Sequence, residues 1–445
     1  MYDVIVCGAG PAGICASISA KRNHAKVLLI ESSGILGGTN TLSLVGPLMT
    51  FHNTGVKVIG GIADEIISRL IEVNGSLGHL RDPLDFCDTI TPVDVEALKD
   101  LYFKMICENE IDLLLHTLIV GVEKENDKIK SITVANKSGL SKLEAKVFID
   151  ATGDGDLCYY ANNDYILGRS EDNLCQPMTM PFVVGGVDLD KVRLAMKNDK
   201  DNFVLGEDYD FNYVGVSGFF KEVELAKKNN DFSINRDRVL LFEDVKKNQV
   251  TVNMTRVLKL SGVNPYERTK AEIEGRKQVQ IAFDFLKKYI PGFENSYIVA
   301  TPTQIGIRES RHIICDYMMD KEDIFNLRRF DDSICLGAFP MDIHSPTGSD
   351  MEFDEIQNDK CYEIPLRSII PNGLSNVVVS GRCIGCTHEA AASIRVSPVA
   401  MALGEVAGVL GSLALKCHGD IRSVDYSELK KNLDKSGVIT KKWEN

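Results

Sequence analysis

The residues best suited to chemistry in this chain are three arginines, two histidines and a cysteine pair. Arg308 and Arg311 lie in Arg308-Glu309-Ser310-Arg311-His312, after a predicted strand at Tyr297–Ala300. If that segment is helical, both guanidinium groups share one face. Their planar forks would then grip a carboxylate in bidentate fashion; salt bridges between domains would use them equally well. Arg395, in Ser393-Ile394-Arg395-Val396-Ser397, is a third candidate for orienting an anionic or polar substrate. His344, in Asp342-Ile343-His344-Ser345-Pro346, and His388, followed by Glu389, titrate near neutral pH and are candidates for moving a proton. A hydrogen-bonded structural histidine explains either position as simply. Cys383-Ile384-Gly385-Cys386 has the spacing of a redox pair, or of inert packing. Thr387 separates Cys386 from His388, which rules out a haem-attachment motif, and further ligands for zinc are not evident nearby.

These side chains need a scaffold, and the N-terminus supplies its clearest part. Asp3 to Cys7 reads as a short buried strand, followed at once by Gly8-Ala9-Gly10-Pro11-Ala12-Gly13. A helical pattern runs to about Ala20, and a second strand, Lys26 to Ile30, ends at Glu31, 18 residues beyond Gly13. Gly8 permits the tight turn. Gly10 lets backbone approach a pyrophosphate. Gly13 lets the helix sit close to the strand. The helix N-terminus, with Pro11 and Ala12, offers N–H groups and a partial positive charge to that pyrophosphate. Glu31 is placed to accept hydrogen bonds from a ribose diol and would repel a 2′-phosphate. The order strand, glycines, helix, strand, acid predicts a dinucleotide-binding βαβ unit.

Further along, Thr91 to Glu108 reads as a helix beginning at Pro92. Ile111 to Glu123, Lys130 to Val134 and Glu144 to Ile149 read as strands. The last runs into Asp150-Ala151-Thr152-Gly153-Asp154-Gly155-Asp156, whose spacing does not fit a calcium loop. From about 165 to 370 the alternation becomes irregular, with a long polar helix over Asn264 to Lys288, and a substrate or cap domain is expected there. Asn376 to Ser380 is a buried strand entering Gly381-Arg382-Cys383, and the apolar stretch from Val396 to Leu415 carries Glu405 as its one charge. Its four small residues Gly404, Gly408, Gly411 and Ser412 favour a helix buried inside a large protein over one that spans a membrane.

Composition excludes several classes. The 445 residues carry 50 Lys and Arg against 63 Asp and Glu, a net charge of −13, which disfavours a nucleic-acid partner. With 44% hydrophobic and 25% charged residues, the chain is globular. Twelve scattered cysteines fit free thiols in a reducing compartment. The N-terminal apolar run lacks a basic flank, so it does not read as a signal peptide. A cytoplasmic location is expected, with no membrane partner and a homodimer as the default assembly.

The ordered motifs resemble those of flavoproteins. Gly37-Gly38-Thr39 after the acid resembles the glycine pair beside an FAD ribose and pyrophosphate. Ala151-Thr152-Gly153-Asp154 resembles a second FAD signature, and Gly381-Arg382 before the apolar helix a third. Together with Gly168-Arg169, Arg308 to Arg311, Asp342 to His344 and His388 to Gly408, they make the chain similar to the bacterial FAD-dependent oxidoreductase family. It is related more distantly to fumarate-reductase flavoproteins and to tRNA-modifying flavoproteins. Cys386 departs from the small residue usual in similar proteins.

The resemblance implies an α/β, Rossmann-like FAD-binding fold of the glutathione-reductase type with an inserted α+β substrate or cap domain. The expected boundaries are 1–160 and 370–418 for the FAD-binding domain, 161–369 for the cap and 419–445 for a C-terminal tail. FAD would be held by Gly8, Gly10, Pro11, Ala12, Gly13, Glu31, Gly37, Gly38, Thr39, Ala151, Thr152, Gly153, Asp154, Gly381, Arg382, Met401 and Ala402. The activity implied is hydride transfer between a small organic substrate and flavin N5, with His344 or His388 moving the proton and Arg308, Arg311 or Arg395 orienting the substrate. A flavin-binding electron-transfer subunit and a tRNA-modifying flavoprotein are the alternative readings.

Overall fold

The computed structural model describes residues 1–346, 351–354 and 361–441. Its first layer is a parallel sheet in the spatial order Asp112–Leu114, Val27–Ile30, Tyr2–Cys7, Gly139–Asp150, Val377–Val379. Apolar runs such as Val4-Ile5-Val6 and Val27 to Ile30 are buried, as strands covered on both faces must be. The long strand Gly139–Asp150 serves two sheets at once. Its first half closes an antiparallel meander with Lys128–Asn136 and Leu118–Glu125, and its second half runs parallel to Tyr2–Cys7, with Cys7 opposite Asp150.

The carboxyl ends of four parallel strands, at Gly8, Glu31, Ala151 and Ser380, all open onto one cavity. That is where open α/β sheets bind ligands. The helix Pro11–Arg22 leaves from the first of these ends. It packs along the apolar helix Ser397–Ala414 through small residues. A Cβ on Gly404 would stand 2.1 Å from the Ala12 carbonyl oxygen, and one on Gly408 2.4 Å from that of Ala16. Ser19 Oγ donates to the Glu405 carbonyl at 2.8 Å across the same seam. Among the described residues, the stretch Ser397–Cys417 is the one long and apolar enough to cross a membrane, and 94% of its apolar window is buried inside the chain.

A second hydrophobic core gathers residues from Met178 to Ile307. Its six-stranded antiparallel sheet has the order Phe203–Val204, Gly215–Gly218, Val239–Glu243, Gln249–Val252, Phe182–Gly185, Tyr297–Ala300. The long helix Pro265–Tyr289 belongs to this core. Asn264 caps it by accepting from the Tyr266 and Glu267 amides, and Ala271, Gly275, Val279, Ala282 and Leu286 make its buried stripe.

Three sequence expectations change. The cap does not extend to 369, because Ile313, Ile334, Leu336, Tyr362 and Ile369 pack into the first core. The expected C-terminal tail, 419–445, carries the helix Tyr426–Ser436, which buries Leu429 and Leu433 in that same core. The helix expected from Pro92 begins at Val95, capped by Asp94, because Thr89–Thr91 is paired in a small sheet.

Candidate active site

The cavity has a volume of about 920 Å³ and two chemically different ends. One end is a backbone cradle. Gly8 leaves the first strand at φ 94°, and a Cβ there would meet the Ala151 carbonyl at 2.6 Å. Gly13 does not reach the cavity; it lies beneath the turn, where a Cβ would stand 1.8 Å from the Gly8 carbonyl oxygen. Gly10 faces open space, and no side chain caps the first turn of Pro11–Arg22. The N–H groups of that turn are therefore available to an anion.

Glu31 lies at the rim of this cradle. Its carboxylate accepts the Ala9 amide at 2.8 Å and the Ser33 amide at 2.8 Å, which stiffens the glycine turn against the second strand. Gly38 and Thr39 also line the cavity, with Gly38 pressed onto Gly10. Gly37 instead makes the tight turn behind them, at φ 109°. Ala151, Thr152, Gly153, Asp154, Gly381 and Arg382 complete this end. Met401 and Ala402 do not reach it, because they lie on other faces of their buried helix; Val396, Ser397 and Ala400 form the wall there. That wall is again an uncapped helix N-terminus.

The other end is cationic. Arg308, Arg395 and Arg236 line it together with Asp342 and His344. Arg308 Nη1 donates to the Pro177 carbonyl at 2.6 Å, and burial with the nearby Arg395 and Arg236 charges pushes its pKa well down. Arg236 is pushed down to about 10 by burial and by Arg256. Arg395 Nη2 lies 3.3 Å from Asp342 Oδ2, and His344 Nε2 lies 3.0 Å from the same oxygen. Burial pushes His344 down to about 3, with Arg308 and Arg395 adding to the shift and Asp342 opposing it. Burial alone would raise Asp342; His344, Arg395 and Arg308 together hold it well below the carboxylate range.

Two expected site residues are placed elsewhere. The segment from Arg308 to His312 is not helical; Arg311–Ile313 is a strand paired with Tyr165–Leu167. In-line backbone sends Arg311 away from Arg308, onto Asp156 at 2.8 Å and over the Tyr159 ring at 4.1 Å. His388 is buried behind the cavity, with Nδ1 2.8 Å from Glu309. Glu309 is held down at about 2: burial would raise it, but His312 and His388 dominate. His312 Nδ1 faces Cys386 Sγ at 3.3 Å, whereas Cys383 Sγ faces the Ser380 and Asp150 carbonyls. Both cysteines are free, so the CxxC spacing leads to two separate environments.

Sequence reasoning missed Arg236, which sits in Asn235-Arg236-Asp237-Arg238. Such a charged run reads as solvated surface, and nothing local marks its one buried member.

The fold and the glycine cradle define a dinucleotide-binding flavoprotein. The chain belongs to the FAD dependent oxidoreductase family, whose sequence model matches residues 3–433. FAD is therefore its cofactor, and the open wall at Gly10, the uncapped helix ends and the Glu31 rim fit that group. Urocanate reductase of Eggerthella lenta is 33% identical over 101 residues, covering 23% of this chain and 16% of that protein. The tRNA uridine 5-carboxymethylaminomethyl modification enzyme MnmG of Chlorobaculum tepidum is 33% identical over 168 residues, 34% of this chain and 24% of that protein. The chain thus matches a quarter or less of the length of these relatives. The flavin-dependent brominase Bmp2 shares the fold at 13% identity, with a TM-score of 0.50 over 98% of this chain and 83% of that one.

Proposed function

We propose that this enzyme transfers a hydride between flavin N5 and a small carboxylate-bearing substrate held by Arg308, Arg395 and Arg236. The observation that carries this reading is one cavity lined both by a dinucleotide cradle and by Arg308, Arg395 and Arg236. When bound, FAD supplies the two-electron chemistry. The chain's own residues supply orientation and the proton. Arg308, fixed by the Pro177 carbonyl, and Arg395, fixed by Asp342, present guanidinium groups whose positions are set before substrate arrives. Arg308 lies near the charges of Arg395 and Arg236, so a bound anion would be favoured there. Burial favours the neutral form of His344, so its imidazole would relay a proton through its ring nitrogens without holding the charge, with Asp342 fixing its orientation.

A panel of carboxylates tests the proposal. Saturated members are added anaerobically to the holoenzyme, and unsaturated members to enzyme reduced beforehand. At least one carboxylate is expected to change the flavin absorbance with saturation. Turnover of neutral compounds alone, unaffected by Arg308→Gln, would reject the anion-binding assignment.

A further inference from the structure

The loop Gly153-Asp154-Gly155-Asp156 is acidic and rich in glycine, and its contacts account for both features. Asp154 Oδ1 accepts Arg382 Nη2 at 2.7 Å, and Asp156 Oδ1 accepts Arg311 Nη1 at 2.8 Å. The same Arg311 nitrogen reaches the Asp154 carbonyl at 2.9 Å, and Ser310 Oγ reaches the Gly153 carbonyl at 3.2 Å. Arg382 then spans the joint. Its Nε donates to the Gly153 carbonyl at 2.9 Å and its Nη1 to the Ile307 carbonyl at 2.7 Å. One guanidinium thus holds the cofactor-side loop and the residue immediately before Arg308.

The glycines make room for this arrangement. A Cβ on Gly153 would stand 3.0 Å from Arg382 Nη2, and one on Gly155 would stand 2.6 Å from Ile313 Cδ1. Both residues have positive φ, 78° and 66°, where other side chains are strained. Sequence and geometry agree that this loop is shaped to receive the segment 307–313.

We infer that Arg382 and Arg311 are positioning residues that tie Arg308 to the loop 153–156, so that FAD and an anionic substrate strengthen each other's binding. This rests on the proposed role of Arg308 as an anion holder. Gly153, Asp154, Ile307 and Arg308 all line the cavity, the first two beside the proposed cofactor and the last two beside the proposed anion. FAD seated against the loop restricts it, and the hydrogen bonds pass that restriction to Ile307. An anion then meets an arginine already in place and loses less freedom on binding. Linkage requires the reverse effect to be of equal size. Lysine at 382 would keep the charge but lose the fork that reaches two segments.

The test measures coupling rather than turnover. FAD release from diluted holoenzyme is followed by flavin fluorescence, with and without saturating malonate, and malonate binding is measured separately by calorimetry. In the native chain malonate is expected to tighten FAD retention about tenfold, within the usual range of coupling between sites. Arg382→Lys and Arg311→Gln are expected to bind malonate but to reduce that factor below about twofold. Arg311 itself does not line the cavity, and Arg311→Gln keeps Arg308, Arg395 and Arg236 while releasing Asp156, so its effect reports on the joint. Undiminished coupling in both variants would overturn the joint and leave the anion site standing. The same holds if malonate binds the native chain without slowing FAD release. Absence of malonate heat with the native holoenzyme would overturn the anion site and the coupling together.

Discussion

His344 Nε2 stands 3.0 Å from Asp342 Oδ2, the same oxygen that Arg395 Nη2 approaches at 3.3 Å. One carboxylate therefore orients both a histidine and an arginine of the proposed anion site. Replacing it disturbs two functions at once, whereas replacing His344 disturbs one. His344→Asn is expected to lower turnover by about 10²- to 10⁴-fold while FAD remains bound. Asp342→Asn is expected to lower turnover and also to raise KM. Steady-state kinetics with flavin content measured on the same samples checks both, and unchanged turnover in His344→Asn would remove it from the proton step.

The arginines should separate from the cradle in their effects. Arg308→Gln and Arg395→Gln each remove a charged hydrogen-bond donor, a loss of about 1.5–3 kcal/mol. KM is expected to rise about 10- to 150-fold for the carboxylate that the native enzyme uses. Flavin content at purification should stay near one per chain in these glutamine variants. Loss of flavin would place the arginines at the cofactor end instead.

Gly38→Ala is expected to do the reverse. A Cβ there would lie 2.9 Å from Gly10 Cα, at φ 51°, so the two loops must part where the pyrophosphate should sit. The variant should fold, judged by its far-ultraviolet dichroism, yet purify with little flavin and regain it only at raised FAD concentration. A fully yellow variant would contradict the placement of the cradle.

Stability should carry two opposing pH signatures. His344 is depressed from 6.5 to about 3, so between these values the unfolded chain binds the extra proton and stability falls as pH falls. Glu405 Oε2 accepts the Ile62 amide at 2.7 Å inside the core, and burial raises its carboxyl from 4.5 to about 7. Here the folded chain binds the extra proton, so stability falls as pH rises from 4.5 to 7. Glu405→Gln removes that slope. Unfolding free energies from urea titrations at pH 5 and pH 8 should shift in favour of the variant by about 2–3 kcal/mol on going to the higher pH. An equal difference at both values would mean that Glu405 is ionised throughout.

The legible part of this protein was local. Gly8 to Gly13, Glu31 and the strands around them follow from short-range rules, because a tight turn and a close backbone approach dictate residue type within a few positions. The apolar helix also declared its burial, since Gly404 and Gly408 can serve only where another backbone comes near. What escaped was set at long range. Arg308 and Arg311 look alike in sequence, and only the strand Arg311–Ile313 leaves Arg308 lining the cavity while Arg311 pairs with Asp156 from behind its wall. Arg236 is buried near Asp342, far from it in the chain, so its neighbours Asp237 and Arg238 disguise it. The end of the cap is hidden in the sequence because strands 333–337 and 362–365 return to the first core after the chain has left it.

The most direct test of the account is an anaerobic titration of purified holoenzyme and its Arg308→Gln variant with the carboxylate panel, read at the flavin absorbance. A saturable change is expected in the native enzyme with at least one carboxylate, shifted to much higher concentration in the variant while its flavin stays bound. A native enzyme indifferent to every carboxylate in both redox states, or a variant that titrates at the native concentration, would contradict the claim that one cavity joins the flavin to an anionic substrate.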